Sequence, residues 1–125
     1  GIEGCPILTK RALDNAKYNN IKNVNFLSHD LFKPELVLPE INKNYPNINK
    51  ICLDPPRDGA LELINNIQKL NPEKILYISC NPQTLARDAK ILCNEKNYVL
   101  QAAGIMDMFP HTKHVESMAV FNKIN

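Results

Sequence analysis

Two hydrophobic periods alternate along the chain. Leu8, Ala12, Leu13 and Ala16 recur at helical spacing, and the pattern stops at Asn19-Asn20. Residues 24–27 form a short strand candidate. The stretch 32–49 is polar, carries Pro34, Pro39 and Pro46, and reads as a long excursion without regular structure. Residues 51–53 are a brief apolar run that ends at Asp54, and Leu63, Ile67 and Leu70 make a second helical face. An apolar strand is predicted over 75–79. Pro82 follows where proline favours a helix start, and Leu85, Ala89 and Leu92 give that helix its apolar face. Residues 98–106 and 115–121 are two closing strands with no helix between them, which predicts an antiparallel hairpin at the sheet edge. Strand–helix alternation of this kind argues for an α/β fold with a parallel sheet and helices on both faces.

Composition narrows the class of protein. A chain of 125 residues is one domain, long enough to bury a core. Its formal charge of +2 does not by itself mark a nucleic-acid surface. No apolar run approaches the roughly 20 residues of a membrane span, and no stretch resembles a secretory signal. Cys5, Cys52, Cys80 and Cys93 show no C-x-x-C spacing, so no metal or iron–sulfur site is predicted. Their even number permits disulfides, but in a lysine- and asparagine-rich chain reduced thiols in a cytoplasm are the expectation.

Candidate chemistry sits at the strand ends, where α/β sheets bind their ligands. Glu3 follows the apolar start Gly1-Ile2, Asp30 follows the strand candidate near 24–28, Asp54 closes 51–53, and Cys80 closes 75–79. Each carboxylate alone has a bland alternative as a helix cap. An acid after the second strand of a nucleotide-binding sheet commonly accepts ribose hydroxyls. Cys80 alone reads as a small buried hydrophobe, as most cysteines do. It nevertheless directly precedes a helix start, whose positive field favours thiolate over thiol.

Three motifs then carry a family resemblance: Asp54-Pro55-Pro56-Arg57, Ser79-Cys80-Asn81-Pro82, and Phe109-Pro110-His111-Thr112 followed by His114-Val115-Glu116-Ser117. In this order they resemble the RNA (uracil-C5) methyltransferases that use S-adenosylmethionine. The likeness runs from Gly1 to Phe121. The segment from Asp107 to Met118 is most similar to the branch acting on 23S ribosomal RNA, and less similar to the branch acting on tRNA. The resemblance implies a Rossmann-like methyltransferase fold, an RNA partner and no membrane.

By motif position, Cys80 resembles the nucleophile and Glu116 the general base. Glu3 and Asp30 match positions that hold the ribose and adenine ends of the cofactor. Asp54 matches a position between cofactor and target base, and Arg57 is the cation best placed to meet a phosphate or carboxylate of the substrate. Arg57 could equally pair with a neighbouring acid such as Asp58. His111 and His114 receive no catalytic role. Two other readings stay open: an exocyclic-amino methyltransferase, because Asp-Pro-Pro loosely resembles the motif of those enzymes, and a catalytically silent RNA-binding segment.

The chain also departs from the family. Its glycines are Gly1, Gly4, Gly59 and Gly104, and none forms a G-x-G pattern. The cofactor-binding glycine loop and its preceding strand have no counterpart, nor does the N-terminal RNA-binding module or the iron–sulfur cluster of some members. Residues 1–125 therefore resemble the C-terminal segment of the catalytic domain, truncated in its first strand. That strand is central in the family's sheet. Its absence predicts open sheet edges, a segment that is either destabilised or self-associates through them, and one that is inactive by itself.

Overall fold

The computed structural model describes residues 1–112 and 114–124. Strand β1 (Ile2–Glu3) leads into helix α1 (Pro6–Tyr18), β2 (Leu27–Ser28), α2 (Pro34–Asn44), β3 (Lys50–Leu53) and α3 (Leu61–Asn65). A 3-10 turn (Ile67–Lys69) continues α3. It is followed by β4 (Lys74–Ser79), α4 (Pro82–Glu95), β5 (Tyr98–Met106) and β6 (Glu116–Lys123).

Local chemistry explains the helix ends. Pro6, Pro34 and Pro82 each stand in the first turn of a helix, where a missing N–H costs nothing. Helix α1 ends in a Schellman arrangement. Asn20 takes φ +57°, Asn20 N–H donates to the Lys17 carbonyl, and Ile21 N–H donates to the Ala16 carbonyl. This is the physical basis of the stop legible at Asn19-Asn20.

The strands form two separate sheets. One holds β1 and β2 in parallel; the other has the order β3-β4-β6-β5. Within the larger sheet β3 and β4 are parallel, while β6 runs antiparallel to both β4 and β5. The closing hairpin thus lies at the sheet edge, as its sequence implies. Between the two sheets lies a cavity of about 690 Å³, walled by Ile2, Leu27, Leu38, Ile41, Ile51 and Leu63 among others. Among the described residues no strand bridges β1 and β3.

Two expectations need correction. The stretch 32–49 is not an irregular excursion, because α2 (Pro34–Asn44) occupies most of it. Pro34, Val37, Leu38 and Ile41 are buried and follow one another at helical spacing. Pro39 lies inside the helix at the cost of one backbone bond. The larger sheet is also covered on one face only, among the described residues. Ile75, Tyr77, Ser79, Ser117, Ala119 and Phe121 point into a core shared with α2, α3 and α4. The alternate positions Leu76, Ile78, Met118 and Val120 remain partly exposed. Strand β2 is shorter than predicted and begins at Leu27. No helix among the described residues is long and apolar enough to cross a membrane.

Candidate active site

The parallel strands β1 and β2 and the first strand of the larger sheet, β3, each end at or just before an acid facing one cavity. Glu3, Asp30 and Asp54 line one cavity of about 400 Å³ with Ile2, Leu31, Phe32, Leu53 and Pro55. Glu3 Oε1 accepts from Cys5 N–H at 2.8 Å, and Asp30 Oδ1 accepts from Phe32 N–H at 2.9 Å. These short local bonds fix each carboxylate at the start of the following segment. Each leaves a second oxygen without a hydrogen-bond donor among the described residues. Such a cavity offers acceptors at its rim and apolar walls behind them, a combination suited to a nucleoside.

Cys80 and Glu116 lie elsewhere, brought together by strand pairing. The β4–β6 ladder ends at Ser79↔Ser117, and Cys80 and Glu116 are the next residues on each side. Ser117 Oγ donates to the Ser79 carbonyl at 2.9 Å within the buried part of this join. Glu116 in turn pairs with Met106 of β5. Cys80 is partly buried and free, as are Cys5 and Cys93; Cys52 is exposed and also free. Asn81 caps α4 by accepting from Gln83 N–H, which places Cys80 one residue before the cap.

The loop after β3 links these two places. Asp54 opens it at the cavity, and Arg57 Nη2 lies 3.2 Å from His114 Nδ1, on the approach to β6. Arg57 is thus partnered by His114, not by Asp58. Its backbone carbonyl accepts from Asn81 Nδ2 at 3.0 Å and from Thr84 Oγ1 at 3.1 Å.

The sequence reading missed a buried polar group beneath this loop. The Tyr77 hydroxyl donates to Asp88 Oδ2 at 2.6 Å, and Asp88 and Tyr77 are both fully buried. Arg87 lies 2.8 Å from the other Asp88 oxygen. Burial, reinforced by the adjacent Asp88 carboxylate, holds the Tyr77 hydroxyl protonated well above the ordinary tyrosine range. The signal for Asp88 was present: it stands three residues after Leu85 and four before Leu92, on the apolar face of α4.

The mixed strand order with carboxylates at the strand ends is that of a Rossmann-like α/β fold, here with β1 and β3 in separate sheets and a cavity between them. The same fold is seen in M. jannaschii TYW2 in complex with AdoMet, at 12% identity and a TM-score of 0.62 over 98% of this chain and 57% of that one. Residues 9–124 match the tRNA (uracil-5-)-methyltransferase family, and the chain belongs to it.

Two relatives are named 23S rRNA (uracil(1939)-C(5))-methyltransferase. The one from Francisella tularensis subsp. novicida is 55% identical over 99% of this chain. The one from Legionella pneumophila is 50% identical over 98%. The chain spans 27% of the length of each. The Pyrococcus abyssi tRNA (uracil-54, C5)-methyltransferase in complex with S-adenosyl-L-homocysteine is 30% identical. It superposes with a TM-score of 0.76 over 97% of this chain and 27% of that one.

Proposed function

We propose that this chain is the C-terminal catalytic segment of an enzyme that methylates C5 of a uridine in 23S ribosomal RNA, in a cytoplasm, through a covalent cysteine adduct. The observation that carries the reading is the juxtaposition of Cys80 and Glu116 one step beyond the Ser79↔Ser117 pair. Identity of 55% and 50% to the ribosomal RNA enzymes, against 30% to the tRNA enzyme, favours the ribosomal substrate.

The chemistry needs each of these groups. C5 of uracil is a poor nucleophile. The Cys80 thiolate adds to C6, which turns the ring into an enolate and makes C5 nucleophilic. C5 then takes the methyl group. Glu116 removes the remaining C5 proton, the C6–sulfur bond breaks, the ring returns to uracil and the thiolate is released. A stacked target base would first have to be turned out of its helix.

S-adenosylmethionine, when bound, supplies the methyl group as an electrophile. The cavity fits its nucleoside end: Glu3 and Asp30 would accept from hydroxyl and amino groups with their unpartnered oxygens. Asp54 would lie between cofactor and base, and Arg57 would meet the RNA. Because β1 and β3 flank a gap and no G-x-G loop is present, the segment alone would hold the cofactor incompletely and remain inactive.

The test uses the full-length protein with a ribosomal RNA fragment. Cys80→Ala should abolish methyl transfer, and Glu116→Gln should accumulate a covalent protein–RNA adduct seen as a shifted band on a denaturing gel. An active Cys80→Ala enzyme would overturn the covalent mechanism and favour methylation of an exocyclic amine. A Glu116→Gln enzyme that turns over normally without adduct would remove Glu116 from the proton transfer. RNA binding with no methyl transfer by the wild type would favour the silent RNA-binding reading.

A further inference from the structure

We infer that one face of α4 is a clamp for the Arg57–Ala60 backbone, and that Thr84 and Asp88 are positioning residues tying Asp54 and Cys80 into one rigid unit. The inference rests on the proposed function for its catalytic meaning, but its geometry stands independently.

The clamp is built from side chain to main chain. Asn81 and Thr84 both donate to the Arg57 carbonyl. Arg87 Nη2 donates to the Asp58 carbonyl at 2.8 Å. Ala60 N–H donates to Asp88 Oδ2 at 2.8 Å and is shared with the Tyr77 oxygen at 3.0 Å. Asn81, Thr84 and Asp88 are spaced three and four residues apart, so they lie along a single helical stripe. Loop residues 57, 58 and 60 thus each meet α4 through a backbone atom.

Gly59 makes the close seating possible. It is buried with φ +78°, and a Cβ there would lie 2.7 Å from Arg87 Nη2 and 2.8 Å from Asp88 Oδ2. A side chain would therefore face both backbone strain and a clash.

The cost of this arrangement argues for positioning. Burying a carboxylate is expensive, and an apolar replacement of similar volume often stabilises a fold as well or better. What a buried, fully partnered carboxylate provides is one defined geometry. The chain joins Asp54 to the clamped loop at one end, and α4 begins two residues after Cys80 at the other. Loosening the clamp would let the cavity acid and the thiol drift relative to each other, and misplacement of about 1 Å can cost 100-fold in rate.

The experiment measures full-length enzyme carrying Thr84→Val, Thr84→Ser and Asp88→Asn, with rates normalised to the folded fraction. Thr84→Val should lower kcat about tenfold with KM for the RNA fragment unchanged, Asp88→Asn should lower it at least as much, and Thr84→Ser, which keeps the hydroxyl, should restore it. Wild-type kcat in both Thr84→Val and Asp88→Asn would overturn the inference, as would equal loss in Thr84→Val and Thr84→Ser.

Hydrogen exchange supplies a readout that needs no turnover. The Ala60 amide should be protected in the wild type to the level of β4 amides and should lose that protection in Asp88→Asn. Exchange at the rate of an open loop in the wild type overturns the clamp. A wild-type enzyme that shows a protected Ala60 amide but no methyl transfer overturns the proposed function and leaves the clamp standing.

Discussion

Strands β4 and β6 pair over six residues and bury Ile75, Tyr77, Ala119 and Phe121 against α3 and α4. Strands β1 and β2 pair over two residues, and neither contains a buried residue. Helix α1 packs on that small sheet while leaving Ile7 and Leu8 78% and 47% exposed. The two regions also carry different chemistry. The well-packed sheet holds Cys80 and Glu116, and the thin one holds Glu3 and Asp30. In the proposed enzyme the reacting groups would be set by a rigid core, while the acids assigned to the cofactor would sit where local opening is cheap. A ligand that binds those acids would then stabilise the weaker region most.

The largest expected effect comes from breaking the stronger region. Phe121→Ala should lower stability by about 3–5 kcal/mol, because Phe121 is fully buried in the core. Leu27→Ala should cost only about 1 kcal/mol, since Leu27 is partly exposed in a two-residue strand. Urea titrations of the two variants decide it. Equal losses would erase the contrast.

Next in size is Gly59→Ala, expected to cost on the order of 3 kcal/mol through positive-φ strain and the contact with Arg87. That loss should appear in the Cys80 region and leave exchange from β1 and β2 unchanged. A neutral Gly59→Ala would mean that the loop can unseat freely, and would weaken the view of the larger sheet and its loop as one body.

What the sequence discloses differs between the regions for the same reason. The strand at 75–79 was legible from its apolar run ahead of a proline-started helix, and the closing hairpin because its two strands follow one another with no helix between them. The acids Glu3, Asp30 and Asp54 were legible as strand ends, and the fold gathers them into one cavity. Helix α2 was hidden by its prolines, although Pro34, Val37, Leu38 and Ile41 carry the helical spacing. The uncovered sheet face was illegible because periodicity reports that a strand has two apolar faces, not what covers them. Asp88 escaped notice because a charge among Leu85, Ala89 and Leu92 looks like an interruption of a face. Its partners Tyr77 and Ala60 lie 11 and 28 residues away.

The gap between the sheets gives a third way to probe the comparison. Strands β1 and β3 present unpaired edges toward a largely apolar cavity, and open edges of this kind pair with other chains. We propose that the segment alone self-associates through them. Its apparent stability should then rise by about 1.4 kcal/mol of dimer for each tenfold in concentration. Sedimentation showing a cooperative monomer at all concentrations would contradict this.

The smallest effect concerns the edge of the larger sheet. Tyr98 is buried at the start of β5, and its hydroxyl donates to the Pro72 carbonyl at 2.6 Å. Tyr98→Phe should cost about 1 kcal/mol at neutral pH through loss of that bond. Burial also pushes the Tyr98 hydroxyl up to about 12, against about 10 in an unfolded chain. Between those values the folded state keeps a proton that the unfolded state releases. The stability this provides is complete below about pH 10 and is lost as pH rises toward 12, at up to about 1.4 kcal/mol per pH unit. Phenylalanine has no such proton to lose. The wild type should therefore lead its variant at neutral pH, meet it near about pH 11, and fall below it in more alkaline solution. Urea titrations across that range check the crossing. Parallel curves would show that Tyr98 is reached by solvent, and that the edge strand β5 belongs with the weaker region.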